Sequence, residues 1–576
     1  MNRLFKRFFI CLIALALALP MGALAETTTT PAPTAGIADE TGALRVYLKS
    51  LGALERMDVR LAGSYSLNGK TGMRFKSGAT LGVSVEDGAI WLDCGGISIC
   101  AGDTLTLTRH RRDGENGLYI SGSSKGGLYG GSLEISLVNG ALMPILIIDV
   151  EEYLKGVVPY EMSDSFPIEA LKAQAVAART YALRRRADRG GKKYDVVDTT
   201  ADQVYFGYSA DYANAVAAVE ATKGLCARYD GAYAVCYYTA TNGGQTARAG
   251  DILSAPAADA YLDVRDDPYD LENPSSPVTT LAFSKDMHDA PERLKSWLID
   301  AAAERLSAMG YSDETGDVRI EQVTAIEGVN PKSAAPARDY QAMRLTYTVQ
   351  ARPLMPVYEK PTVSDAVFHA FTGTPMERKI VGYEPGEWER IDESFTCDIS
   401  VYEQLKNELG LKISSIDCEL ATAIEEDDLF IIQLRRYGHG VGLSQRGAQV
   451  MAGSYGMDFR AILGFYYPGL TIEAVSLADA TADALDGVKA AAVQNDAAVL
   501  GAPKDGEYMA TVTLSTAAST LNLRAAPSTD AQVIAVLSAG AKVIVMSESD
   551  GWAHVRAVAG EGYVSSQYIN AAGSAR

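Results

Sequence analysis

The chain has 576 residues, too many for one ordinary hydrophobic core, so at least two domains are expected. Its composition is that of a water-soluble globular protein, with 47% hydrophobic and 22% charged residues. A formal net charge of −20 excludes nucleic acid as a partner, since that role needs a concentrated basic surface.

Residues 1–25 carry the three parts of an export signal: Arg3, Lys6 and Arg7, then an apolar run, then small residues ending in Ala23-Leu24-Ala25. Cleavage is expected after Ala25, the alternative being retention as a membrane anchor. Residues 26–40 form a Thr/Pro/Ala tether without core-forming side chains. Alternating apolar positions at Leu81-Val83-Val85, Ile97-Ile99, Leu105-Leu107 and Leu133-Ile135-Leu137 predict antiparallel β structure to about residue 150. The continuous run Ile145 to Val150 reads as a more buried strand leading into a turn that carries Glu161 between Pro159 and Pro167. A helix is expected from near Pro167 to Gly190-Gly191, capped by Ser163 or Asp164. Its face Ile168, Leu171, Ala175, Ala178 and Ala182 should pack inward, with Lys172 and Arg179 sharing another face.

A second helical zone covers Asn214 to Lys223. Removing the signal leaves six cysteines, an even number that permits disulfides in an exported protein. Cys226 and Cys236 flank Asp230-Gly231, a hairpin signal. A two-residue turn would put Cys226 opposite Val235, whereas a three-residue loop would set the two cysteines opposite each other. Between about 255 and 430 a helix over Leu294 to Leu306 alternates with a strand over Met343 to Val349, which argues α+β rather than a regular βα repeat. In YGHGVGLSQRGAQVMA, glycines flank His439 and Ser444 is placed to cap a following helix. Glycines and lysine fall at the wrong places for a dinucleotide or phosphate loop. Residues 478–508 form an Ala/Asp-rich linker, and 509–573 a unit of short strands.

The ordered motifs VVPYEM, PIEALKAQAVAARTYAL, DTTADQVY, YYTATNGGQT and YGHGVGLSQRGA closely resemble the family of sporulation stage II protein D and the LytB amidase enhancer. LYGGSLEI precedes them and ILGFYYPG closes the domain, assigned to residues 41–477. The tail resembles a bacterial SH3-like domain through Asn522-Leu523-Arg524, Asp550-Gly551-Trp552 and Gly562-Tyr563-Val564. The fold class expected is therefore α+β, a mixed β-rich catalytic domain with helices followed by a small all-β SH3-like barrel. Leu523, Val536, Val543, Trp552 and Val564 should be buried together in that barrel.

What the family resemblance implies is peptidoglycan as the partner, with lytic transglycosylases that cut glycan strands among its members and other relatives that stimulate amidases. Its catalytic acid maps onto Glu161. The motif positions imply a substrate groove of Lys172, Gln174, Arg179, Tyr181, Gln203, Tyr205, Tyr238, His439, Ser444 and Gln445. Some members bind zinc around their D-T-T segment, but here the ligand positions hold Val197, Ala201 and Asp202, so neither a metal nor another cofactor is expected. Asn242, Gly243, Gly244 and Gln245 read equally as a sugar-contacting turn or a plain one. The expectation is an extracytoplasmic, wall-associated enzyme. A non-catalytic scaffold that activates a cell-wall amidase is the alternative.

Overall fold

The computed structural model describes residues 43–68, 73–110, 116–255, 258, 260–373, 378–475, 503–514, 520–557 and 560–571. The expected signal, the tether and most of the Ala/Asp-rich linker lie outside these residues. Helices and strands are mixed, as an α+β reading requires.

Two antiparallel sheets build the N-terminal part. One contains the strands Ala43–Tyr47, Ala141–Asp149, Ser132–Val138 and Thr104–Arg109. The other runs Gly117–Ile120, Arg56–Ala62, Thr80–Glu86, Ala89–Cys94 and Ile97–Gly102 in spatial order. Period-two alternation turns Leu44, Val46, Leu105, Leu107, Leu133 and Ile135 of the first sheet and Val59, Leu81, Val83 and Leu92 of the second into one shared core. The strand Ala141–Asp149 pairs on both sides, which is why Ile145, Leu146 and Ile148 form a continuous apolar run.

That strand delivers the chain to the helix Ile168–Asp188, buried on nearly every side. Its alanines let neighbouring elements approach closely, so even Gln174 and Arg179 are fully buried, while Ile168 at its exposed start is 39% accessible. The expected cap differs: among the described residues no side-chain cap is made at Pro167, where this helix begins, and the carboxylate of Asp164 accepts from Ala215 N (2.7 Å) at the start of the neighbouring helix Ala213–Ala221. The hairpin at Asp230-Gly231 is a two-residue turn, with Tyr229 opposite Ala232 and both turn residues at positive φ (48° and 77°). Cys226 and Cys236 are free thiols, both buried.

Residues 278–435 make an insertion with a hydrophobic core of its own. The helix Glu292–Ala308 packs Leu294, Leu298 and Leu306 against the long strands Val318–Pro331 and Tyr340–Ala351, and the strand Val278–Ser284 pairs with Leu429–Arg435. The two ends of the insertion meet in that pairing, Val278 opposite Arg435, and outside it the short parallel pair Tyr238–Thr239 and Leu443–Ser444 joins the flanking segments. In the tail, Leu523, Val543 and Val564 are buried, and the side chain of Val536 lies outside the described residues. Trp552 is only half-buried. Alternation along Trp552–Ala557 sends Ala553, Val555 and Ala557 inward, so Trp552 falls on the outer face.

Candidate active site

The strand Ala141–Asp149 ends in a residue that caps the next helix: the Asp149 carboxylate accepts from Glu151 N at 2.9 Å. After Val150–Lys155 the chain turns at Gly156, where a Cβ would lie 2.5 Å from the Tyr205 ring and 2.8 Å from the Gly207 carbonyl oxygen. Only glycine fits so close an approach. The single-turn helix Val158–Glu161 follows, with Pro159 in its first turn and Met162 buried just beyond it. Glu161 therefore projects from a backbone fixed at both ends.

The groups around its carboxyl come from four distant segments. Oε1 accepts from Val204 N at 2.9 Å, and the Tyr238 and Gln445 side chains also hydrogen-bond the carboxyl. Gln203 Nε2 donates to Tyr238 Oη (3.2 Å) and to the Ala178 carbonyl (3.1 Å) of the central helix. Tyr153 lies within electrostatic reach of Glu161, and Gln174 is one turn before Ala178 on the same helix face. Tyr153 Oη, both amide atoms of Gln174 and Gln203 Oε1 are buried without a hydrogen-bond partner among the described residues. Glu161 is thus half-buried, backed by neutral polar groups, none of the three that bond it being a second carboxylate.

Burial raises the Glu161 pKa above the ordinary glutamate value, and the hydrogen bonds from Val204, Tyr238 and Gln445 oppose that shift without cancelling it. A carboxyl in this state holds its proton to higher pH, which suits proton donation. His439 moves the other way. Burial first, and then the nearby Arg436, push its pKa down to about 4. Nδ1 accepts from Val441 N at 3.0 Å, the ring hydrogen-bonds the Tyr238 backbone, and its edge meets Tyr237 at 6.1 Å between centroids. A neutral His439 therefore fastens the glycine loop to the strand that carries Tyr238. Gly442, at φ 73°, is where a Cβ would collide with the Tyr237 carbonyl.

The remaining motif residues fall elsewhere. Arg179 is fully buried, its Nε and Nη2 on Glu151 at 2.8 and 2.7 Å and its other donors on the carbonyls of Ala175, Val219 and Leu225. Tyr205 is a core ring, 5.0 Å from Tyr153 and 5.6 Å from Tyr129. Ser444 caps the helix Gln445–Gly453 by accepting from Gly447 N, and it donates to Asp270 at 2.6 Å. Lys172 pairs with Glu169 at 2.7 Å. Asn242 is fully buried and donates to Asp267 (2.7 Å), Gln245 donates to Asp266 (3.0 Å), and Arg436 ties the carbonyls of both, so this segment is a buttressed turn.

Tyr181 donates to Asp202 at 2.9 Å in the D-T-T segment. The Asp202 carboxylate also receives Val197 N (2.9 Å) and Arg185 Nε (3.0 Å). Hydrogen-bond donors and the guanidiniums of Arg185 and Arg189 surround the Asp202 carboxylate, and Asp198 of the same segment accepts from Ser50 N and its hydroxyl, which is no donor set for a cation. Among the described residues, no group of three His, Cys, Asp or Glu side chains could hold a metal ion. Sequence reasoning missed Tyr153 and the Val204 amide as neighbours of Glu161. Tyr153 opens the very YLKGVVPYEM stretch that carries the acid, eight positions before it, but a backbone donor leaves no residue-type signal.

The geometry joins a set of similarities. Residues 139–229 match the family model described as stage II sporulation protein, and residues 519–570 match that of the bacterial SH3 domain. A relative named "Amidase enhancer" from Bacillus subtilis (strain 168) is 30% identical over 326 residues, 55% of this chain and 40% of the relative. "Stage II sporulation protein D" from Bacillus amyloliquefaciens is 35% identical over 152 residues, 24% of this chain and 43% of the relative. An uncharacterized protein of Brachyspira hyodysenteriae is 40% identical over 126 residues, 22% and 34% of the two chains. The chain spans less than half the length of each of these curated relatives.

Proposed function

We propose that this chain, which carries a stage II sporulation protein domain and a bacterial SH3 domain, is an exported peptidoglycan-remodelling protein that cleaves glycan strands as a lytic transglycosylase. The observation that carries the reading is Glu161: a single half-buried carboxyl, its pKa raised by burial, held by neutral donors. No helix among the described residues is long and apolar enough to cross a membrane. The tail would grip wall polymer.

The chemistry needs one acid that later acts as base. Protonated Glu161 gives its proton to the glycosidic oxygen as the bond from that oxygen to the muramyl C1 breaks. The resulting carboxylate is held by Val204 N, Tyr238 and Gln445. It then takes the proton of the muramyl 6-hydroxyl as that oxygen bonds to C1, which regenerates the acid and leaves a 1,6-anhydro end. No water is consumed. The two-carboxylate scheme of ordinary glycosidases requires a second acidic partner across the bond, whereas this internal attack does not.

Mass spectrometry of purified glycan strands after incubation tests this directly. Products ending in 1,6-anhydromuramic acid are expected, and new reducing ends would mean hydrolysis instead. A second reading draws on the relative named "Amidase enhancer": a non-catalytic wall-binding scaffold that activates an N-acetylmuramoyl-L-alanine amidase. Absence of new ends of either kind, on intact and on peptide-stripped strands, would favour it.

Two further results are expected. Activity should decline as pH rises through the elevated Glu161 pKa, because the proton donor is then lost, and the alkaline limb of the pH–rate profile should lie above the ordinary glutamate range. The donor-lined Asp202 predicts that activity survives excess EDTA. Stoichiometric zinc in the purified protein together with chelator-sensitive turnover would contradict that expectation.

A further inference from the structure

The strand Ile97–Gly102 ends the second N-terminal sheet, and its outer side would expose unpaired N–H and C=O groups next to Ile97 and Ile99. Such an edge is a template for unwanted pairing unless something covers it. Here the tail covers it. The SH3-domain strand Val533–Ser538 runs antiparallel to it, with Ala535 opposite Ile99 and Val536 opposite Ser98. On its other side the same strand pairs with Thr520–Arg524, so the N-terminal sheet continues into the tail without a break. Ile99, Ala535 and Leu537 are all buried.

We propose that the Ile97–Gly102 edge is an intrachain docking site for the SH3 domain, which is thereby a fixed arm of the N-terminal sheet and not a loose tether. Main-chain pairing supplies the affinity, as in other strand-addition contacts, and the buried Ile99 and Leu537 supply the apolar part. A fixed arm raises the local concentration of polymer only where the geometry lets both domains engage it, whereas a flexible tether does so over a broad range of positions. The docking stands whether or not the tail binds wall polymer, so its test is independent of the reaction.

Continuing the register by one pair sets Ile534 opposite the native Cys100, a free and half-buried thiol. Residues paired across an antiparallel ladder have Cα atoms about 4.5–5.5 Å apart, within disulfide reach. Full-length I534C under mild oxidation is expected to form a bond between Cys100 and the introduced thiol within one chain, found by non-reducing peptide mapping of the monomer. The same protein with C100S added should not form it, nor should S528C, placed in the turn before the strand. A bond between two chains would assign the pairing to exchange between copies, and no bond to Cys100 would place the tail elsewhere; either overturns the proposal. Should I534C fail to fold, hydrogen exchange on the unmodified protein decides. The outward-facing amides of the paired stretch around Ser98 and Ile99 should be protected, whereas an uncovered edge would show them exchanging at the rate of open chain.

Discussion

Glu161→Gln is expected to lower glycan-strand cleavage by about a hundredfold to ten-thousandfold, the usual contribution of a positioned acid–base group, while the protein stays folded. The substitution keeps the size and hydrogen-bonding reach of the side chain and removes the titrating proton. Tyr238, Gln445 and Val204 N still have an oxygen to meet. Stability should move in the opposite direction from activity. The folded-state pKa of Glu161 is raised, so the wild-type protein keeps its full stability below the unfolded pKa of about 4.3 and loses part of it as pH rises through the folded value. Glutamine carries no such loss. The variant should therefore melt higher than wild type at neutral pH and equal to it below pH 4, read by thermal denaturation at both pH values. Activity retained by the variant would sink the single-acid mechanism, whereas amidase stimulation retained without cleavage in either protein would favour the scaffold.

The parts of this molecule that rest on local pattern were legible in the sequence. Period-two alternation gave the N-terminal strands, and the Ser444 cap and the Asp230-Gly231 turn each require only their own neighbours. The Glu161 turn stood out because prolines and a helix start surround it. What resisted reading depends on distant packing. Asp164 looks like a cap for the helix that follows it, yet it caps one that starts at Ala213, a choice made by tertiary contact. The alanine-rich helix Ile168–Asp188 looks amphipathic, but it lies at the centre of the domain, where its small side chains admit neighbours on all sides. The insertion at 278–435 hides because its ends close on each other by pairing across more than 150 residues, Val278 opposite Arg435, which no local pattern announces. The short parallel pair Tyr238–Thr239 and Leu443–Ser444 outside it brings Tyr238 and Gln445 to Glu161. The motifs therefore named residues of two kinds, those at the carboxyl and those that hold the frame, and the sequence does not separate them.

Arg179 is where that separation has the largest measurable consequence. Its motif position suggests a sugar contact, but its guanidinium is fully buried and each of its donors is engaged within the protein. It joins the central helix to Glu151 of the preceding helix, to the Val219 carbonyl of Ala213–Ala221 and to the Leu225 carbonyl of the strand that follows. Glu151 also accepts from Gly224 N at 3.0 Å, so removing the arginine leaves a largely buried carboxylate with one backbone donor among the described residues. Breaking a buried pair from one side costs about 3–5 kcal/mol, most of it from the uncompensated charge left behind. Arg179→Met is therefore expected to lower the unfolding free energy by about that amount, measured by denaturant titration. Adding Glu151→Gln should recover part of the loss, because the stranded charge is then gone and the two positions couple. A substrate-binding arginine would behave differently: KM would rise, stability would be unchanged, and the second substitution would rescue nothing.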